Sequence, residues 1–214
     1  MNISKRIVIL VGLVGPTALG APSVTRRTSS PHPKAPAKTV ATPAARRPAQ
    51  APIRLVEDAS LLGSWTSPCL PSPPSKITYS FAPKTAVITI ESFFDSACSR
   101  PSVTVDFLYN YGVDPRPIQT PAGAKAFNAV LTSARLTPKD ATFAEHLSAG
   151  YHMTLSSGVT TDVSGKGGMP RRVYRLFSIY QVGGSELSVG EYDGVSPETR
   201  PTKFAKTTFQ KQKK

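Results

Sequence analysis

The sequence predicts a mainly β fold, an antiparallel barrel or sandwich of about eight strands with one short helix. Between residues 55 and 205, short runs of two-residue alternation follow one another, separated by turns rich in Gly, Pro and Ser. A single stretch of that span carries helix signals instead.

The first clear strand is residues 75–81, where Ile77, Tyr79 and Phe81 share one side and Lys76, Thr78 and Ser80 the other. Residues 86–94 are rich in β-branched side chains and follow the turn-like Ala82-Pro83-Lys84, so the two runs pair as a hairpin. Residues 102–111 alternate most cleanly, with Val103, Val105, Phe107, Tyr109 and Tyr111 opposed to Thr104, Asp106 and Asn110. After a strand at 126–136 comes the helix. Thr137 caps it, Pro138 fits its first position, Asp140 stands in its first turn and Gly150 ends it. Phe143 and Leu147, four apart, share its buried face. Strands at 151–156, 173–182 and 186–192 complete the set, and the Gly- and Ser-rich residues 156–170 read as an exposed loop.

Outside this span the composition changes. Residues 1–20 combine Lys5-Arg6, the apolar residues 7–14, the break Gly15-Pro16 and the small-residue end Ala18-Leu19-Gly20, the pattern of a signal peptide cut after Gly20. The apolar run falls far short of the roughly 20 residues that span a bilayer. The expectation is an exported protein, whether periplasmic, held in the cell envelope or secreted. Residues 21–54 carry seven cations and no acid, and are too poor in large apolar side chains to offset the entropy of ordering, so a disordered basic linker is expected. Residues 55–205 form the domain, and 206–214 a second basic disordered tail. The net charge of +13 resides in these tails, because residues 55–202 hold 12 basic and 13 acidic side chains. The tails act either as plain tethers or as adhesive arms for an anionic envelope surface. The linker has no aromatic residue on which bases would stack, which argues against nucleic acid as a specific partner.

Cys69 and Cys98 are the only cysteines, and in an exported chain they are expected to pair. Closing a loop of that length stabilises a fold by about 3 to 4 kcal/mol. They stand in Leu62-Gly63-x-Trp65-x-Ser67-x-Cys69 and in Phe94-Asp95-x-x-Cys98-x-x-Pro101, with Tyr79-x-Phe81 between. These motifs resemble the extracellular domain named after adenomatosis-polyposis-coli down-regulated protein, found in Wnt antagonists, and a group of small bacterial envelope proteins. The Gly-x-Trp is also similar to the start of lipocalins. Leu187-x-Val189-Gly190 and Thr199-Arg200-Pro201-Thr202 are similar to the closing segment of the bacterial proteins. The resemblance covers about residues 61–204. It implies a lipocalin-like barrel able to hold an apolar or acyl-bearing ligand, with Trp65 closing one end. It also implies a cysteine bridge from the opening strand to the turn after the third strand. The lipobox cysteine of several bacterial members is missing here, and with it the basis for a lipid anchor.

The candidate site residues follow from this frame. Trp65 is either a core plug or part of a binding site. Val103, Val105, Phe107 and Tyr109, with Phe177 and Ile179 as neighbours, are either the packed inner face of a filled barrel or the lining of a cavity. Arg171 and Arg172 either meet an anionic headgroup at a barrel mouth or protect a strand edge. Catalytic and metal signals are lacking. Gly63-Ser64-Trp65 misses the second glycine of a nucleophile elbow, and Gly165-Lys166-Gly167-Gly168 lacks phosphate-loop spacing. His146 and His152 have no metal-ligand spacing. Glu57, Asp58 and Asp193 stand near termini or turns and read as solvated. A monomeric, non-enzymatic binding module without cofactor is expected, with an adhesion factor acting through its tails as the alternative.

Overall fold

The computed structural model describes residues 56–213, apart from 117, 119, 120 and 192. The signal peptide and the linker read from the sequence lie outside the described residues. The strands, in chain order, are β1 (Gly63–Thr66), β2 (Leu70–Pro71), β3 (Pro74–Ala82), β4 (Thr85–Phe93), β5 (Pro101–Asp114), β6 (Lys125–Pro138), β7 (Thr161–Asp162), β8 (Arg175–Gly183), β9 (Glu186–Gly190) and β10 (Phe204–Lys211). One helix, α1 (Ala141–Tyr151), follows β6.

Eight of these strands close into an antiparallel barrel. The order β1-β10-β9-β8-β6-β5-β4-β3 returns to the start because β1 also pairs with β3, from Gly63↔Phe81 to Thr66↔Thr78. Closure removes the free edges that an open sheet would leave. β2 pairs only with β3, and β7 only with β6.

Alternation sends one face of each strand inward. Trp65, Tyr79, Ile88, Phe107 and Ala134 sit opposite one another in successive pairings and form a belt across five strands. A bulge on β6 at Thr132 shifts the inward set from Phe127, Ala129 and Leu131 to Ala134 and Leu136, which matches the unbroken row Val103, Val105, Phe107, Tyr109 and Tyr111 on β5. One end of the core is packed by Leu147 and Tyr151 of α1 together with Leu155, Val163 and Met169. The 3-10 turn Ala59–Leu61 packs a further part of it. Its Leu61 is fully buried and accepts a 2.7 Å hydrogen bond from Trp65 Nε1.

Asp58 fixes that turn. Its carboxylate caps the turn through Ser60 N, at 2.9 Å, and accepts from the Tyr180 hydroxyl at 2.6 Å and from Lys125 Nζ at 2.5 Å. The segment leading into the barrel is thereby tied to β6 and β8. Far from being solvated, as its position near a terminus suggests, Asp58 is a structural node. Burial pushes its carboxyl up, but the hydrogen bonds from Lys125, Ser60 and Tyr180 outweigh this and hold it well below the usual carboxylate range.

Cys69 and Cys98 form the expected disulfide, which joins the segment between β1 and β2 to the β4–β5 turn. Asp95 organises that turn by accepting from the backbone N–H groups of Ala97, Ser99 and Arg100 at 2.7 to 3.1 Å.

Three expectations about the elements are corrected. Residues 206–214 do not form a free tail: β10 runs to Lys211, pairs with β9 and β1, and buries Phe209. The helix begins later than expected, with Asp140 as N-cap accepting from Phe143 N at 2.9 Å, because Thr137 and Pro138 are held in β6 opposite Thr104 and Val103. It also ends later, through His152 in the left-handed region (φ 52°), so the strand expected at 151–156 is the end of a helix and a loop.

Candidate functional site

Val103, Val105, Phe107 and Tyr109 line the barrel interior and are at most 3% exposed. Trp65 is fully buried beside them, with Lys211 Nζ 4.8 Å from its ring centroid. The structure thus brings together five of the expected residues. It separates Phe177 from them. On β8 the residues opposite the inward Phe127 and Ala129 are Ser178 and Leu176, so Phe177 faces outward, whereas Ile179 is buried and borders the small interior cavity. There Arg200 stacks 5.3 Å over the Phe177 ring and bonds Asn128 Oδ1 at 2.5 Å. Arg171 and Arg172 precede β8, which is paired on both sides and is no edge; Arg172 is engaged by Asp162 at 2.6 Å.

Around the inward row of β5 the described core residues pack closely. A cavity of about 20 Å³, room for one water-sized group, lies among Tyr79, Phe81, Phe127, Tyr180, Ser178 and Asp193. An acyl chain does not fit this space unless the core opens, because pockets for drug-sized ligands are of the order of 300 to 1,000 Å³.

Asp193 is the exceptional group. It arrives here through an irregularity after β9. Four residues of β8, from Tyr180 to Phe177, lie opposite six, from Val189 to Gly194, since Tyr180 pairs with Val189 and Phe177 bridges Gly194. The two extra residues bulge the chain but keep its parity, so Asp193 shares the inward side of Leu187 and Val189. Behind the bulge the chain is held close. A Cβ at Gly190 would overlap the Pro201 ring, so Gly190 and Pro201 of the two closing motifs pack as a pair.

The electrostatics of the cavity follow from this placement. Part of Asp193 reaches the surface, while its carboxyl is enclosed by protein. Among the described residues no Lys or Arg pairs with it. Burial pushes its carboxyl up to about 6, and a hydrogen bond from Ser178 opposes this only in part. Burial, and after it the Asp193 charge, hold the phenols of Tyr79 and Tyr109 above their ordinary range. The interior therefore presents a negative potential bounded by neutral hydroxyls and aromatic rings.

Asp193 did not stand out in the sequence because Tyr192-Asp193-Gly194 has the composition of a solvated turn. The available signal was the parity of Leu187 and Val189, which carries on to residue 193. Among the described residues no group of three His, Cys, Asp or Glu side chains is arranged to hold a metal, and His146 and His152 are exposed. No protein-family model and no curated protein matches this sequence.

Proposed function

We propose that this chain is an exported, non-enzymatic binding module of lipocalin-like architecture, whose ligand site is the small interior cavity at Asp193. The observation that carries this reading is the unpaired carboxylate inside a closed apolar barrel. Such a group costs stability and contributes nothing evident to packing, as groups kept for binding do. Export is supported by the N-terminal pattern of residues 1–20 and by the disulfide. The cavity volume favours a small ligand over the acyl chain that the resemblance to Wnt antagonists suggests.

A thermal-shift screen of chain lacking residues 1–20, against fatty acids, small amines, carboxylates and sugars, tests the reading. A ligand that binds the folded state should raise Tm by a few degrees and alter Trp65 emission.

The second reading, adhesion to an anionic envelope surface, rests on the seven cations of residues 21–54. It takes precedence if no compound class shifts Tm while retention on anionic vesicles is lost on removing residues 21–54 and falls steeply with salt.

A further inference from the structure

Resting on that reading, we infer that the cavity beneath the bulge after β9 takes the ammonium head of a small primary amine. The carboxylate of Asp193 is an acceptor without a cationic partner among the described residues, and an ammonium supplies both the charge and the donors that it lacks. Ser178 provides a hydroxyl on the same side. The aromatic side chains of Tyr79, Phe81, Phe127 and Tyr180 line the cavity, and aromatic rings attract a desolvated cation. An anion meets a like charge here, and a neutral apolar group leaves the carboxylate unsatisfied.

Size sets the specificity. About 20 Å³ accepts a group of the dimensions of water or –NH₃⁺ and excludes a quaternary ammonium. Since part of Asp193 reaches the surface, the rest of the amine extends outward past the bulge. The groups facing Asp193 are Tyr79 on β3, Tyr109 on β5 and Ser178 on β8, while Tyr180 lines the cavity with its hydroxyl given to Asp58. Their hydroxyls stay neutral below pH 9, so between pH 4 and 8 the charge of the cavity is governed by Asp193 alone.

The test is titration of chain lacking residues 1–20 with methylammonium and butylammonium chloride, followed by amide NMR shifts and calorimetry at fixed ionic strength. Tetramethylammonium and 1-butanol serve as controls. The expected result is saturable binding of both primary amines at pH 7.5 and none of tetramethylammonium. Affinity should fall at least ten-fold at pH 4.5, where Asp193 is protonated and the amines remain cations. Asp193→Asn should lose at least ten-fold at pH 7.5; the pH series on the unsubstituted protein gives the same answer without any variant. Equal binding of butanol and butylammonium, unchanged by Asp193→Asn, overturns the ammonium assignment and leaves an apolar interior site standing. Absence of amine binding alongside a hit from another class in the thermal screen likewise overturns this inference but not the binding function. Silence of every probe in both experiments overturns both.

Discussion

Asp193 and Asp58 are carboxylates in the same domain with opposite consequences for stability. Asp193 is held at about 6, above the roughly 3.9 of an unfolded chain, so between those values the native state binds the extra proton. The benefit of that proton is complete below pH 4 and is lost as pH rises through 6. Asp193→Asn mimics the protonated form. It should raise stability by roughly 2 to 3 kcal/mol at pH 7.5 and by almost nothing at pH 4, as read from urea denaturation. An unchanged midpoint at pH 7.5 would mean that the carboxyl is solvated after all. Asp58 runs the other way, because its folded-state pKa lies below the unfolded one. Its contribution is present above pH 4 and disappears as acid protonates it. With the exposed Lys125 counted for little and the bonds from Tyr180 and Ser60 for most, Asp58→Ala should cost about 2 kcal/mol at neutral pH. The loss should shrink progressively below pH 4. A variant whose deficit stays constant down to pH 2 would argue against an ionic role.

At the scale of the elements, legibility depended on whether a strand keeps its alternation. The β3–β4 hairpin and the inward row of β5 were readable because eight consecutive pairs between β3 and β4, from Ser75↔Ser92 to Ala82↔Thr85, run without a break. Outward-facing Phe177 was misassigned because apolar residues occupy both faces of β8, the outer one being covered at Phe177 by Arg200 and the Gly194 bridge. A local pattern does not distinguish a residue buried inside a barrel from one buried beneath a strap on its outside. The helix start failed for a related reason: Thr137 and Pro138 are good local cap signals, but pairing with β5 claims them for the sheet. β10 was hidden by its own solvent face, where Lys206 masks an inward side that buries Phe209. The disulfide, by contrast, was accessible from the expectation of export and the cysteine count. It joins two connections flanking β2, β3 and β4, and thus spans the β3–β4 hairpin of the barrel wall. Replacing both cysteines by Ala should lower stability by roughly 2 to 5 kcal/mol with the barrel retained at 25 °C, measured by denaturant titration with and without reductant. A reductant effect of equal size on the double variant would show that the loss has another origin.

For the molecule as a whole, closure makes the two ends of the domain depend on each other. β1 sits between β3 and β10, so the first and last strands of the barrel are neighbours through Trp65↔Lys211 and Thr66↔Gln210. Removing residues after 202 would take away β10, leave β1 and β9 with unpaired edges, and expose Leu187, Tyr79 and Trp65, which now pack around Phe209 and Lys211. Removing residues 1–54 takes away no barrel strand. The two truncations, each of which also removes a basic segment, should therefore differ in kind. The chain ending at residue 202 should lose its cooperative thermal transition and aggregate, while the chain starting at residue 55 should melt within a few degrees of the parent. For the same reason, deleting the C-terminal residues does not test adhesion, since lost binding would report lost fold. The charge is better removed in place. Lys206 and Lys213 are exposed and Lys203 lies before the strand, so changing all three to Gln keeps the pairing of β10 and subtracts three positive charges. If basic segments hold the protein on an anionic surface, this triple variant, with the melting transition of the parent, should elute earlier from a cation exchanger and release from anionic vesicles at lower salt. Removal of residues 21–54, which carries away seven cations, should shift both further. Identical elution by all three proteins would put the surface interaction outside the basic segments and leave the interior cavity as the working part of the molecule.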